Sequence, residues 1–418
     1  MSLIAIIKFI IKLIYVSPLN GDFLMIELLL KGGDFMVEEE EIFKIHGGKK
    51  PGVLSIKPRF EVKNKKQLGE AYTPGVAQIA KLIEKEPSAK SKYTTSGKLI
   101  AIVSDGTAVL GLGNISPAGS LPIIEGKALL YKDFAGVDAI PLAIDQISVD
   151  QLVENLKHIA TSFAGFHLED IKAPRCFELE EKLAQEVNIP VYHDDQEGTA
   201  IVVLAALINA AKVVHKKLTD LKVLVNGVGA SGYATAKLLL AAGIKNITLV
   251  DVDGPISAND DHYNKYQRAL AKQSNVHEKF KSLSDAIEGQ DVFIGLSVAD
   301  VLTPTQIKKM SSDPIIFALA NPKPEIDPIL AHEAGVKVMA TGSSQYPNQV
   351  NNVLVFPGLF KGLLEFGIKK VTSTLEIAIA EGLSKMVPTP QPEKFIAGVF
   401  DDGVVKTVTN TIMQFSQK

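Results

Sequence analysis

The sequence predicts an α/β protein of two domains, and three observations carry that prediction. Short apolar runs alternate with helix-length segments through most of the 418 residues, the pattern of parallel sheets covered by helices. A glycine-rich turn joins one of these runs to a helix. An almost wholly apolar helix, expected over 198–214, divides the alternation into a smaller first series and a larger second one, and it reads as a buried hinge. The length permits two cores of ordinary size.

In the first series a polar lead-in over 36–62 precedes a helical stretch at 63–86, which Tyr72-Thr73-Pro74-Gly75 interrupts. Residues 99–103 read as a buried strand ending in the loop Ser104-Asp105-Gly106. Helical spacing follows at 125–134, a strand at 137–144 and an amphipathic helix at 150–162. The apolar runs 163–168 and 189–192 both end in paired carboxylates. The second series opens with a strand at 221–226, the turn Gly227-Val228-Gly229-Ala230-Ser231-Gly232 and a helix at 233–242. Strands follow at 246–251, 292–295, 315–319 and 336–340, and helical segments from 353 onward are expected to pack back across both domains.

Composition excludes several classes. Hydrophobic residues at 46% and charged residues at 22% describe an ordinary folded chain. A net charge of −3 with interspersed signs offers no basic face to a nucleic acid. The single cysteine, Cys176, rules out an intramolecular disulfide and fits a reducing, cytoplasmic setting; it reads as a small buried side chain rather than a nucleophile. Residues 3–16 are apolar apart from Lys8 and Lys12, but they fall short of the roughly 20 residues of a spanning helix. They also lack a signal-peptide pattern. Residues 1–35 are therefore read as an N-terminal extension ahead of a domain that begins near Met36, and no membrane partner is expected.

Gly227, Gly229 and Gly232 form a G-x-G-x-x-G between a strand and a helix, and Asp251 closes the next strand close to the expected separation of about 20 residues. Gly227 permits the tight turn, Gly229 lets the backbone approach a pyrophosphate, and Gly232 lets helix and strand pack closely. The amides around Ala230 and Ser231 at the helix start would receive the phosphates. This is a Rossmann-like dinucleotide site. Asp251 would accept from the ribose hydroxyls and repel a 2′-phosphate, and Val252-Asp253-Gly254-Pro255 brings no cation to offset it, so NAD is favoured over NADP.

Glu169 and Asp170 end one apolar run, and Asp194 and Asp195 another. Carboxyl ends of strands face the ligand crevice of an open α/β sheet. Four carboxylates there would repel one another unless a cation sat among them, and oxygen-only donors suit Mg²⁺ or Mn²⁺ rather than zinc. Neighbours on a strand point to opposite faces, so both members of a pair face one ion only where the strand has ended. This assigns Glu169, Asp170 and Asp195 as ligands with Asp194 behind them. Spacing alone leaves solvated acidic loops equally open.

Several motifs occur together in one order: Tyr72-Thr73-Pro74-Gly75-Val76; Ser104-Asp105-Gly106-Thr107-Ala108-Val109-Leu110-Gly111-Leu112-Gly113-Asn114; Glu125-Gly126-Lys127-Ala128; Leu168-Glu169-Asp170-Ile171; His193-Asp194-Asp195-Gln196-Glu197-Gly198-Thr199; Ala320-Asn321-Pro322; and Asn348-Gln349-Val350-Asn351-Asn352-Val353. In these the sequence resembles malic enzyme in its short microbial form, over residues 50–418. The resemblance implies a smaller substrate and metal domain over 36–195 and an NAD-binding domain with C-terminal helices over 196–418. It implies oxidative decarboxylation of (S)-malate to pyruvate and CO₂ through bound oxaloacetate and enolpyruvate, with reduction of NAD(P)⁺, in a homodimer. Tyr72 and Lys127 would form the acid–base pair with Asp194 tuning the lysine, Glu169, Asp170 and Asp195 would hold Mg²⁺ or Mn²⁺, and Asn321 and Asn352 would touch malate.

There are departures. Ala108 stands where larger malic enzymes have an arginine, which leaves backbone amides around Gly106 as candidates for the distal carboxylate. Ser343 and Gln345 stand where short forms often have an arginine and an aspartate.

Lys127 accepts a proton from the C2 hydroxyl only when neutral, and moving a lysine from about 10.4 to about 7.5 takes roughly 4 kcal/mol. Burial and a nearby divalent cation both push that way. Tyr72 would then protonate C3 of enolpyruvate. The alternative is malolactic conversion to lactate with NADH retained, against which the chain's length is taken to argue. A different dehydrogenase and a non-catalytic NAD-sensing module are the remaining readings.

Overall fold

A computed structural model describes residues 39–274 and 280–417, so the extension read at 1–35 lies outside the described residues. Residues 43–418 form one compact unit, which carries everything that follows.

Two sheets organise this unit. The first has four parallel strands, β1 (Leu99–Ser104), β2 (Asp138–Ala143), β3 (Gly165–Leu168) and β4 (Val191–His193), in the order β2-β1-β3-β4. The second has the order β10-β9-β8-β5-β6-β7, from β5 (Lys222–Asn226), β6 (Asn246–Asp251), β7 (Gly254–Pro255), β8 (Val292–Gly295), β9 (Ile315–Ala318) and β10 (Val338–Thr341). Its strands are parallel except β7, which pairs antiparallel with β6. Residues 100–104 of β1 and all of β3, β8, β9 and β10 are buried, as parallel strands covered on both faces require.

The helices used below are α1 (Lys65–Ala71), α2 (Val76–Lys85), α3 (Pro117–Leu130), α4 (Val149–Ile159), α5 (Arg175–Glu186), α6 (Thr199–Val213), α7 (Ala230–Ala241), α8 (Phe356–Phe366), α9 (Ser373–Ser384) and α10 (Val404–Ser416). The interruption expected at 72–75 separates α1 from α2, with Asn64 capping α1 through the amide of Gln67. Ser148 and Gln151 form a capping box that starts α4. Helix α3 begins eight residues before the expected 125. Ser116 caps it and Pro117 occupies its first turn, but Pro122 inside it obscures the helical pattern in the sequence. Helix α5 is not anticipated above, although Cys176, Leu179 and Leu183 bury one face at helical spacing.

Helix α6 ties the unit together. Residues 200–207 are buried in one continuous core with Ile100 and Ile102 of β1, Val223 and Val225 of β5, and Leu359 and Phe360 of α8. Among the described residues, Asp194–Val213 is the one helical stretch long and apolar enough to cross a membrane, and 72% of its most apolar window lies inside the protein. The C-terminal helices α8, α9 and α10 join the same core, as expected. Cys176 is free and fully buried, and burial pushes its thiol well above the ordinary range.

Candidate active site

Strands β3 and β4 end side by side, each delivering a carboxylate pair. After Leu168 the chain turns sharply, and Asp170 takes the left-handed conformation with φ 54°, a region aspartate tolerates better than most residues. That turn lets Glu169 and Asp170 serve one cluster instead of opposite faces. After His193 the chain makes a single π-helical turn, Asp194–Gly198, before α6 begins. Asp170 donates its amide to Asp195 Oδ2 at 2.9 Å, joining the two pairs. One oxygen from each of Glu169, Asp170 and Asp195 lies within 4.8 Å of the others.

Lys127, from α3, enters this layer. Its Nζ bonds Asp194 Oδ2, lies 3.1 Å from Glu169 Oε1 and 3.4 Å from Asn352 Oδ1, and sits 4.6 Å above the ring of Phe356. Burial pulls the ammonium's pKa down, but Asp194 and then Glu169 outweigh burial and hold it above the usual lysine value. Among protein groups alone, therefore, the expected depression of Lys127 is reversed, because two buried anions face it. Glu169 is the partner in kind: burial would raise it, but Lys127 and His167 bring it to about 2. Asp170 moves the other way, to about 7, through burial and then repulsion by Glu169. Asp195 is also pushed well up by burial, then by Glu169 and Asp170. Asp170 Oδ2 is buried with no hydrogen-bond partner. Repelling carboxylates with an orphaned oxygen fit a divalent cation with oxygen ligands.

A layer of aromatic side chains backs the cluster. Tyr131 and His167, His167 and Tyr192, and Tyr192 and Phe360 are edge-to-face pairs with centroids 5.6–5.9 Å apart, and Phe356 lies 4.8 Å from Tyr131. Two of them carry polar tips into the cluster, and Tyr131 reaches it through His167. Tyr131 Oη meets His167 Nδ1 at 2.8 Å, His167 Nε2 meets Glu169 Oε2 at 2.6 Å, and Tyr192 donates to Asp194 Oδ1 at 2.7 Å. Sequence reasoning missed Tyr131, His167 and Tyr192. A signal existed for two of them: His167 and Glu169, and Tyr192 and Asp194, are each two positions apart, the spacing that puts residues on one face of a strand.

The other predicted residues divide. Asn352 joins the cluster. Asn321 follows β9, but its amide donates to Leu319 O at 3.3 Å, a local turn contact. Tyr72 is 67% exposed at the end of α1, and the structure does not bring it to Lys127. The amides around Gly106 are not available to a distal carboxylate. Gly106 donates to Ser104 Oγ at 3.1 Å, Thr107 to Asp105 Oδ1 at 3.1 Å, and Ala108 to Asp170 O at 2.9 Å, so the loop consumes them internally.

The glycine turn lies between β5 and α7. A Cβ on Gly232 would stand 1.8 Å from Gly227 O, and one on Gly227 would meet Leu296 O at 2.6 Å. Beside Gly229 nothing lies within 4 Å, which leaves a backbone surface open to a ligand at the start of α7, where Ala230 and Ser231 lie. Asp251 ends β6 with Oδ2 accepting from Gln267 Nε2 at 3.0 Å, and the same amide donates to Val228 O at 3.1 Å. Gln267, which sequence reasoning also missed, thus fixes Asp251 against the turn. An open cradle followed by a helix start fits a dinucleotide pyrophosphate.

Residues 53–184 match the malic enzyme N-terminal domain, and residues 196–398 match the malic enzyme NAD binding domain. The chain belongs to the malic enzyme family. It is 44% identical to the NAD-dependent malic enzyme of Geobacillus stearothermophilus over 94% of this chain and 82% of that protein. It is 45% identical to the bifunctional malic/malolactic enzyme of Bacillus subtilis over 90% of this chain and 91% of that protein. The NAD-dependent malic enzyme of Thermotoga maritima superposes with a TM-score of 0.85 at 43% identity, covering 90% of this chain and 98% of its own. A bifunctional relative matched over nearly its whole length removes the argument from chain length against malolactic chemistry.

Proposed function

We propose that this malic enzyme oxidises and decarboxylates (S)-malate to pyruvate and CO₂, reducing NAD⁺, with Mg²⁺ or Mn²⁺ bound by Glu169, Asp170 and Asp195. The observation that supports this reading above others is the buried Lys127 between Asp194 and Glu169, beside the orphaned Asp170 Oδ2. The cation would acidify the C2 hydroxyl of malate and polarise the ketone of oxaloacetate. Bound NAD⁺ would supply the hydride acceptor on the glycine cradle, with Asp251 disfavouring a 2′-phosphate.

The chain's own residues hold and move protons. Lys127 receives the C2 hydroxyl proton when neutral, and the carboxylates that keep it charged include Glu169, whose charge a cation would neutralise. Asp194, clamped by Tyr192, keeps the Lys127 nitrogen in place for that transfer. Asn352 offers an uncharged amide for a substrate carboxylate. Tyr72 returns a proton to C3 of enolpyruvate. Its exposure, with Ile56, Phe60, Val62, Leu68, Val76 and Tyr93 also exposed nearby in sequence and no buried residue in α1 or α2, supports a homodimer in which a second copy covers this segment and brings Tyr72 to a cleft.

A spectrophotometric assay with malate, NAD⁺ and Mn²⁺ tests the reading. Formation of NADH and pyruvate, abolished by EDTA, is expected; turnover indifferent to EDTA would overturn the metal assignment. The bifunctional relative favours malolactic conversion as a second reading, and lactate formed without free NADH would establish it.

A further inference from the structure

Glu169 is held by more than Lys127. Its carboxylate is divided: Oε1 faces Lys127 at 3.1 Å, and Oε2 lies 2.6 Å from His167 Nε2. His167 sits on β3 at 0% exposure, and its other ring nitrogen meets only the hydroxyl of Tyr131, itself fully buried. We propose that Tyr131 and His167 are positioning residues that hold the Glu169 carboxylate in its cation-binding orientation, with the Tyr131 hydroxyl fixing which imidazole nitrogen carries the proton. The proposal rests on the reading that Glu169, Asp170 and Asp195 bind a divalent cation.

The Tyr131 hydroxyl is a phenol in an apolar aromatic layer, and its one partner there is His167 Nδ1. A buried phenol must place its hydrogen on an acceptor, so it donates to Nδ1, and that nitrogen carries no proton of its own. The imidazole proton is thereby assigned to Nε2, which donates to Glu169 Oε2. The ring cannot turn freely to break this arrangement, because Tyr131, Tyr192, Phe356 and Phe360 pack around it with centroids 5.6–6.3 Å away. With Oε2 anchored, Oε1 is the oxygen left to face the other carboxylates. A glutamate free to swing could instead give both oxygens to Lys127. Outer partners of metal ligands orient them in this way, and losing one typically weakens metal affinity 10- to 100-fold.

The experiment measures Mn²⁺ affinity directly, by the electron paramagnetic resonance signal of free Mn²⁺ in titrations of the full chain without substrate. NAD⁺ affinity and melting temperature are recorded in parallel. His167→Ala should weaken Mn²⁺ binding roughly 10- to 100-fold, and His167→Gln, whose amide can donate to Glu169, should return it to within about threefold of the parent. Tyr131→Phe keeps the ring packing and removes only the hydroxyl, and it should weaken Mn²⁺ binding by roughly three- to tenfold. NAD⁺ affinity should stay unchanged in all three. Parent-like Mn²⁺ affinity in both His167→Ala and Tyr131→Phe would overturn the proposal. So would a loss in His167→Ala that His167→Gln does not repair, since packing rather than the hydrogen bond would then be responsible. Should His167→Ala fail to fold, Tyr131→Phe decides alone. A parent chain that binds no Mn²⁺ would overturn the metal reading itself and this inference with it, an outcome distinct from variants that bind like the parent.

Discussion

The glycine turn is prepared for a ligand by what it lacks, and the carboxylate cluster by what it has in excess. Around Gly227, Gly229 and Gly232 the chain is hydrogen-bonded and tightly packed except for an open surface beside Gly229. Around Glu169, Asp170 and Asp195 the carboxyls crowd together, burial and Glu169 push the pKa of Asp170 and Asp195 up, and one oxygen is left without a partner. One site is complete before its ligand arrives, and the other is under electrostatic tension that a cation would relieve. The difference teaches that stability and binding should separate at the turn but trade against each other at the cluster.

The strongest way to break that comparison is Lys127→Ala. Malate oxidation should fall by roughly 10²- to 10⁴-fold through loss of the base. The variant also leaves Asp194 and Glu169 buried without their cation, which should cost roughly 3–5 kcal/mol of stability. Mn²⁺ should recover part of that loss, read as a rise in melting temperature; a melting temperature equal to the parent's without Mn²⁺ would show the cluster is not under tension. Asp195→Asn is the converse. It should raise the melting temperature of the apo protein by removing a repelling charge, yet abolish the stabilisation by saturating Mn²⁺, which for the parent at a hundred times Kd is about 2.7 kcal/mol.

The turn is sharpened by two substitutions within one motif. Gly232→Ala puts a methyl into Gly227 O and should lower stability by roughly 1–3 kcal/mol along with NAD⁺ affinity. Gly229→Ala meets nothing, so stability should stay within about 0.5 kcal/mol of the parent while the KM for NAD⁺ rises about tenfold or more. Equal destabilisation by both would erase the distinction.

A pH-dependent effect lies behind the cluster. Burial, with Glu197 nearby, pushes Glu376 up to about 8. An acid whose folded pKa is raised contributes fully below its unfolded value of 4.5, and that contribution is lost as pH rises through about 8. Glu376→Gln should therefore raise the melting temperature relative to the parent more at pH 9 than at pH 5; a pH-independent difference would remove Glu376 as the cause.

The same contrast governs what the sequence reveals. The glycine turn is legible because its residues are consecutive and its requirement is steric: Gly232 has no room for a methyl. The central strands β1, β5, β8 and β9 are legible because burial on both faces makes them largely apolar. The carboxylate pairs are visible as pairs, but their meeting depends on Asp170 entering the left-handed region and on a π-helical turn at Asp194–Gly198, neither of which has a local signature. Lys127, on a helix that carries Pro122 inside it, is singled out only by resemblance. Tyr131, His167 and Tyr192 sit in apolar runs and read as core, which they also are. The direction of the Lys127 shift needed distances to Asp194 and Glu169 that no spacing supplies.

The enclosed thiol of Cys176 has a practical consequence. With its only native sulfhydryl at 0% exposure and no tryptophan anywhere in the chain, the protein is a clean background for site-directed spectroscopy. A maleimide dye on a cysteine introduced at an exposed position such as Lys66, or an indole placed at Phe60, would be the sole reporter in its channel. Either would follow the 60–85 segment in real time as nucleotide or substrate is added.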